Sequence, residues 1–247
     1  MSRDDAVAAA EIATTAGAML VELRAEGGPA DVLKAAGDAA SQRCIADELA
    51  RRFPGDAVLS EEAVDDSDRL TNQRVWIIDP LDGTREFSER PCDDWAVHVA
   101  LVVDGELVAG AVALPAMGIT LSSTGPFPSV PWVARPPRVL VSRTRPTEHA
   151  TAVAEALDGE LVAMGSAGAK AMAVVRGVAD VYAHSGGQWE WDSAAPVAVA
   201  AAAGLHVSRL DGSPLCYNQA NPWLPDLLVC RPELAAMVIG TCAVVVG

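Results

Sequence analysis

The sequence predicts an α/β (α+β) protein, on three observations. Two stretches with helical spacing of apolar residues open the chain, short apolar runs that read as strands follow, and beyond residue 135 strand-like and helix-like stretches alternate. With 247 residues, 51% hydrophobic and 21% charged, the chain can bury a sizeable core as one large domain or two modest ones.

Ala6 to Arg24 carries Val7, Ile12, Leu20 and Leu23 on a broad Ala-rich face, and Gly27-Gly28-Pro29 stops that helix. Asp38 precedes a second helical stretch, Ala39 to Phe53, which ends at Pro54-Gly55. Ala57-Val58-Leu59 and Val75-Trp76-Ile77-Ile78 fit buried strands, each running directly into acidic residues. Trp95 to Val103 and Leu107 to Leu114 flank Asp104-Gly105, a two-residue hairpin signal that predicts adjacent antiparallel strands. Prolines 126, 128, 131, 136 and 137 mark a loop and a domain boundary, giving domains 1–135 and 136–247. In the second half, strand-like Arg138–Ser142, Leu161–Met164, Asp180–Ala183 and Leu205–Ser208 alternate with helix-like Thr147–Leu157, Ala167–Arg176 and Asp192–Ala203.

A formal net charge of -15 argues against nucleic-acid binding, which relies on Lys and Arg neutralising phosphates. A phosphorylated ligand would need a cationic mediator, and divalent metals are the obvious candidates. The five cysteines show no zinc-like spacing and read as thiols without a shared role. The longest apolar stretches, such as Ala194–Leu205, are Ala-rich and broken by Pro or Gly, so no membrane span is expected. The acidic opening Met1-Ser2-Arg3-Asp4-Asp5 lacks secretory-signal features, and the expected location is cytoplasmic.

Three acidic clusters stand out: Glu61-Glu62, Asp79-Pro80-Leu81-Asp82-Gly83-Thr84 and Trp189-Glu190-Trp191-Asp192. Glu61-Glu62 alone reads equally as a solvated charge pair, and Asp192 as a helix N-cap, a ligand, or both. Asp79 to Thr84 is more specific, because a buried strand is followed by a carboxylate and a proline that ends strand pairing. A proline-forced bend can aim Asp79 and Asp82 at one point, with the Leu81 carbonyl as a third oxygen, the hard ligand set that Mg²⁺ takes. The N–H groups of Gly83 and Thr84 are then placed to hold a phosphate oxygen.

At these residues the sequence resembles the inositol monophosphatase superfamily, whose signatures are a strand-terminal Glu pair, D-P-[IL]-D-G-T and a later W-D segment. Here they are Ser60-Glu61-Glu62, Asp79 to Thr84, and Trp191-Asp192-Ser193-Ala194-Ala195, in that order. The resemblance covers nearly the whole chain and implies a layered αβαβα sandwich. Asp82-Gly83-Thr84-Arg85-Glu86-Phe87, Glu190 and Asp211 to Tyr217 are similar to the CysQ-type 3′(2′),5′-bisphosphate nucleotidase branch. Ser142-Arg143-Thr144-Arg145 departs from that branch, which carries a histidine where Arg145 stands.

The resemblance implies that Glu61, Asp79, Asp82, Asp192 and the Leu81 carbonyl ligate two or three Mg²⁺ ions, with Glu62 a supporting carboxylate and Li⁺ an inhibitor. It implies that Asp38 takes the hydroxyl proton of Thr84, which orients the attacking water. Substrate contacts are expected from Gly83, Thr84, Ser166, Lys170, Arg145 and Asp192. Gly165 to Lys170 reads as a glycine-rich helix start whose N–H groups meet a second phosphate or ribose, or as a plain helix start. The four histidines show no metal-ligand pairing and read as core or surface residues, although His184 and Gly186-Gly187-Gln188 can line a pocket.

The implied reaction is hydrolysis of 3′-phosphoadenosine 5′-phosphate to AMP and phosphate, in sulfur assimilation. Its alternatives are an inositol-1-phosphate or fructose-1,6-bisphosphate phosphatase, an enzyme accepting several of these, or a nucleotide or metal sensor that has kept the fold. The expected partners are a small nucleotide, sugar or inositol phosphate and a second copy in a homodimer, with no nucleic acid or membrane.

Overall fold

Two long helices open the chain, α1 (Arg3–Glu26) and α2 (Ala30–Arg52), in a computed structural model that describes residues 3–127, 135–144 and 146–245. The break between them falls at Gly27-Gly28-Pro29, as the sequence predicts. The second helix, however, starts at Ala30 rather than Ala39. Asp38 therefore lies inside α2 and caps nothing. Gly37 is the reason the sequence misleads here: glycine disfavours helix interiors, but a Cβ at this position would meet Phe87 at 2.8 Å and Leu81 at 2.9 Å. Its helix cost is accepted for close packing.

The first sheet comprises β1 (Ala57–Ser60), β2 (Arg74–Asp82), β3 (Ala96–Val103), β4 (Glu106–Leu114) and β5 (Ile119–Ser122), in that spatial order. β1 runs parallel to β2 and the remaining pairs are antiparallel. Asp104 and Gly105 join β3 to β4 with φ of 51° and 82°, the double positive φ that a two-residue hairpin turn of matching twist requires. A short helix, α3 (Thr84–Ser88), follows β2.

The second sheet has the order β7-β6-β8-β10-β9, with β6 (Arg138–Ser142), β7 (Glu160–Met164), β8 (Val181–Trp189), β9 (His206–Ser208) and β10 (Trp223–Cys230). Three of the helices, α4 (Glu148–Ala156), α5 (Ala167–Val175) and α6 (Glu190–Ala202), match predicted stretches to within about two residues, and α7 (Ala235–Val245) is an addition. The two sheets lie on either side of the proline-rich stretch in sequence. Pro128 and Pro131 within that stretch, and Arg145, lie outside the described residues.

The central strands of the first sheet are buried on both faces, and successive side chains enter two different cores, which defines the layers. Trp76, Ile78, Val97, Val99 and Leu101 pack with Ile12, Ala13, Ala16 and Leu20 of α1, whereas Val75, Ile77, Ala96 and Ala100 pack with α5 and α6. On the far side of the second sheet, Val139, Val181 and Leu228 meet Val153 of α4 and Val238 of α7. The order is thus helices, sheet, helices, sheet, helices, the expected αβαβα sandwich. Each fully buried Ile or Leu contributes about 1.5–3 kcal/mol by leaving water. By length and composition α1 is apolar enough to cross a membrane, contrary to the expectation of no such segment. Its apolar side is nonetheless occupied by the first sheet, so its composition is that of a core helix.

The alanine run of α6 also has a packing reason. A Cβ on Gly110 of β4 would lie 2.6 Å from Ala198 Cβ and 3.0 Å from the Ala195 carbonyl. Helix and sheet approach this closely only because both surfaces are small, and that approach brings the first turn of α6 to the end of β2.

Candidate active site

β2 does not stop at Pro80, as the sequence suggests, but continues to Asp82 through an irregularity in its pairing with β3. Asp79 pairs with His98 and Asp82 with Ala96, so β2 uses three steps where β3 uses two. That extra residue is a β-bulge. In a regular strand, residues three apart face opposite sides, but the bulge turns Asp79 and Asp82 to the same face. It is the face of Val75 and Ile77, toward α5 and α6.

Asp192 arrives on the first turn of α6, directly after β8. Its Oδ2 accepts the Trp189 N–H at 2.6 Å, so it secures the helix start, from inside the first turn rather than from the N-cap position. One carboxylate oxygen from each of Asp79, Asp82 and Asp192 lies within 4.8 Å of the others. Asp79 and Asp82 are buried. Three acids this close, in a shielded site, repel one another unless protons or cations intervene.

The shifts in acidity follow that repulsion. Burial, then Asp82, Glu61 and Asp192, push the Asp79 carboxyl well above the usual carboxylate range. Burial, then Asp82, raise Asp192 to about 6, against the opposing Trp189 N–H, His98 and Lys170. Glu61, exposed on the turn after β1, is pushed up to about 7 by partial desolvation against the surrounding protein, then by Asp192, Asp82, Glu62 and Asp38. It stands outside the tight triplet but feels the same field. Ser60 anchors that turn, donating to Gln42 Oε1 at 2.7 Å and accepting from Glu62 N at 3.3 Å.

Asp82 departs in the other direction. Burial alone would raise it, but His98, the Ser166 hydroxyl and the Gly168 N–H together hold it below the usual range. Gly168 N donates to Oδ2 at 2.7 Å and Ala167 N to Oδ1 at 3.2 Å, so the carboxylate sits on the N-terminus of α5. Within the Gly165–Lys170 segment, two N–H groups, those of Ala167 and Gly168, are thus engaged by Asp82. Ser166 likewise donates to Asp82 and accepts from Ala169 N as the α5 N-cap. Lys170 lines the cleft but is buried, with Nζ donating to Ser166 O at 2.6 Å and Gly165 O at 3.4 Å.

His98 belongs to the site, although it reads in the sequence as a core or surface histidine. It is fully buried, with Nε2 3.2 Å from Asp82 Oδ2 and Nδ1 3.0 Å from the Trp191 carbonyl. Burial disfavours its charged form, but Asp82 and the Trp191 carbonyl outweigh that and raise its pKa. The available signal is its phase: a lone polar residue on β3, two positions from Ala96 and Ala100 and directly across from Asp79 on the same face of the sheet.

Thr84 Oγ1 donates to the Leu81 carbonyl at 3.0 Å and stands 3.5 Å from Asp38 Oδ1. Burial, then Glu62, raise Asp38 to about 6, with the Thr84 contact opposing them. Gly83 adopts φ 83°, and a Cβ there would lie 3.1–3.3 Å from Ser166 Cβ, the Asp94 carbonyl and Trp95 Cα. A cleft of about 560 Å³ opens beside these groups, lined by Asp82, Asp192, Lys170, His184, Gly187 and Trp223 among others. The expectation that His184 and its glycines line a pocket is thereby met. Arg143 pairs with Glu86 and Asp94, and Asp94 also accepts the Gly165 N–H at 2.6 Å.

The donor set is all oxygen, clustered and electrostatically unfavourable without positive charge, and so fits hard divalent cations. The Inositol monophosphatase family model matches residues 4–126 and 135–241. The 3′-phosphoadenosine 5′-phosphate phosphatase of Mycobacterium leprae is 51% identical, over 96% of this chain and 92% of its own length. The 3′(2′),5′-bisphosphate nucleotidase CysQ of Escherichia coli K12 is 34% identical, over 76% of this chain and 81% of its own. Inositol monophosphatase II of Staphylococcus aureus superposes with a TM-score of 0.81 at 21% identity, covering 96% and 95% of the two chains, and shares the fold. Sequence, fold and the acid cluster agree that the chain belongs to the inositol monophosphatase family.

Proposed function

We propose that this protein is a Mg²⁺-dependent phosphomonoesterase that converts 3′-phosphoadenosine 5′-phosphate to AMP and inorganic phosphate. The observation that carries the chemistry is the convergence of Asp79, Asp82 and Asp192. The substrate rests on the M. leprae relative of that name. An inositol or fructose phosphate remains an alternative substrate class within the same chemistry. A sensor without activity would be expected to have lost a ligand or the Thr84 and Asp38 pair, and all of those residues are present.

Glu61, Asp79, Asp82, Asp192 and the Leu81 carbonyl would hold two or three Mg²⁺ ions, with Glu62 supporting. Bound there, Mg²⁺ supplies Lewis acidity toward water, the phosphoryl oxygens and the leaving oxygen. His98, Ser166 and the α5 N–H groups fix Asp82 in its ionised form and in one orientation, a supporting shell that sharpens ligand geometry. The Thr84 hydroxyl has one proton and two acceptors in reach. Turned from the Leu81 carbonyl to Asp38, it frees that carbonyl as a ligand and presents its oxygen lone pairs to an incoming water. Asp38, raised to about 6, is then poised to share the proton near neutral pH.

Li⁺ inhibition, a homodimer, a cytoplasmic location and a division into units at 135/136 belong to the same reading. The test is phosphate release from 3′-phosphoadenosine 5′-phosphate, inositol 1-phosphate and fructose 1,6-bisphosphate at fixed Mg²⁺ and in EDTA. The nucleotide is expected to give the highest kcat/KM, with activity lost in EDTA and reduced by millimolar Li⁺. A higher kcat/KM for either other ester overturns the substrate, and undiminished activity in EDTA overturns the chemistry.

A further inference from the structure

Trp189 and Trp223 are large apolar side chains left 43% and 45% exposed, and both line the acidic cleft. They are cross-strand partners at the ends of β8 and β10, so the two indoles mark one edge of the cleft. Each is braced by protein. Trp189 stacks on Trp191 with ring centroids 5.3 Å apart and planes 14° from parallel. Trp223 lies against Gly187, where a Cβ would come within 2.7 Å of the indole Cζ2 and Nε1. Gly187 has φ 91°, so both its backbone conformation and the space over it require glycine. Leaving two braced indoles in water is unfavourable, and their position beside the phosphate chemistry suggests what covers them.

We propose that Trp189 and Trp223 form an aromatic subsite on which the base of a nucleotide substrate stacks. The subsite rests on the proposed function and would supply its specificity. Trp189 is three residues from Asp192, whose carboxylate accepts its N–H. The base and the 3′-phosphate are carried on ribose carbons C1′ and C3′, separated by a single ring atom, so a phosphate held at Asp192 leaves the base near this wall. An uncharged aromatic ring also tolerates the acidic surroundings. Polyol and sugar phosphates have no π face and gain less from the indoles than a base does, so stacking favours nucleotides over them. Base–aromatic stacking of this kind typically changes binding by about 5- to 150-fold on truncation to alanine.

The experiment compares wild type with Trp189→Ala, Trp223→Ala and Trp223→Phe. One arm titrates AMP and ribose 5-phosphate, which share a phosphate and differ in the base, using calorimetry and indole fluorescence. The other measures the kcat/KM ratio for 3′-phosphoadenosine 5′-phosphate over inositol 1-phosphate. AMP is expected to bind wild type at least about fivefold more tightly than ribose 5-phosphate. Trp223→Ala should erase most of that preference and lower the kcat/KM ratio by about 5- to 150-fold, while Trp223→Phe, which keeps an aromatic face, restores most of both. Equal binding of AMP and ribose 5-phosphate, or a preference unchanged in both alanine variants, overturns the subsite even if the nucleotide is hydrolysed. An AMP preference that the variants abolish upholds it even if inositol 1-phosphate proves the better substrate, which overturns only the substrate assignment.

Discussion

Replacing Asp192 with asparagine should stabilise the metal-free protein and remove its response to Mg²⁺. The Asp192 carboxyl rises from 3.8 to about 6 because it is buried and faces Asp82. That rise corresponds to about 3 kcal/mol against the ionised form. The sign follows from proton binding. Because the folded state holds this proton more tightly than the unfolded chain, folding is favoured below pH 3.8 and loses that advantage as pH climbs to about 6. Above pH 6 wild type bears the full cost of the charge, whereas asparagine bears none and can still accept the Trp189 N–H through its amide oxygen. In EDTA at pH 8, Asp192→Asn should therefore gain about 3 kcal/mol, or about 6–12 °C in Tm for a chain of this size. The gain should shrink as pH falls toward 4. With Mg²⁺ at a hundred times its Kd, wild type should gain about 2.7 kcal/mol and the variant much less. Thermal melts in EDTA and Mg²⁺ at pH 8 and pH 5 measure all of this. A variant no more stable than wild type in EDTA at pH 8, or one stabilised equally by Mg²⁺, would refute the reasoning.

Three further outcomes follow from the same geometry. Asp82→Asn should lower turnover at least ~100-fold with an unchanged circular dichroism spectrum, because it removes ligand charge and little packing; near wild-type rates in the folded variant would contradict the site. Gly168→Ala places a Cβ 2.0 Å from His98 Nε2 and should weaken Mg²⁺ binding about 10- to 100-fold by calorimetry, as disturbed support of a metal ligand does. Arg69 is buried and reaches Asp65, Asn218 Oδ1 and the Gln219 carbonyl. Because Asp65 is itself exposed to water, truncation of Arg69 to alanine should cost about 1–3 kcal/mol in urea unfolding through the unpaired Asn218 and Gln219 oxygens. No measurable loss would show that the network contributes little.

Local chemistry made much of this fold readable. The Asp104-Gly105 turn could be read because it needs two positive φ values, and the first helix because three turn-formers end it. The acid motif stood out because a buried strand has no reason to end in two carboxylates around a proline. What was not readable depends on partners distant in sequence. Asp38 reads as the residue before a helix, yet it lies inside α2, where neighbouring Gly37 packs against Phe87 and Leu81. Pro80 reads as a strand end, yet it falls within the bulge that turns Asp79 and Asp82 to one side. β10 carries Pro225 beside its own pairing irregularity, which hides a central strand behind an edge-strand signal. His98 and the α5 N-terminus reach Asp82 only through tertiary contact, which no local pattern announces.

The central claim is that β2 and α6 bring carboxylates together to hold divalent cations. Anomalous diffraction from crystals grown with Mn²⁺ in place of Mg²⁺ tests it most directly. Peaks are expected between Asp79, Asp82 and Asp192, at oxygen-coordination distance from all three. Peaks only at other acidic groups, or none in crystals whose dissolved protein hydrolyses phosphate esters in EDTA, would contradict it.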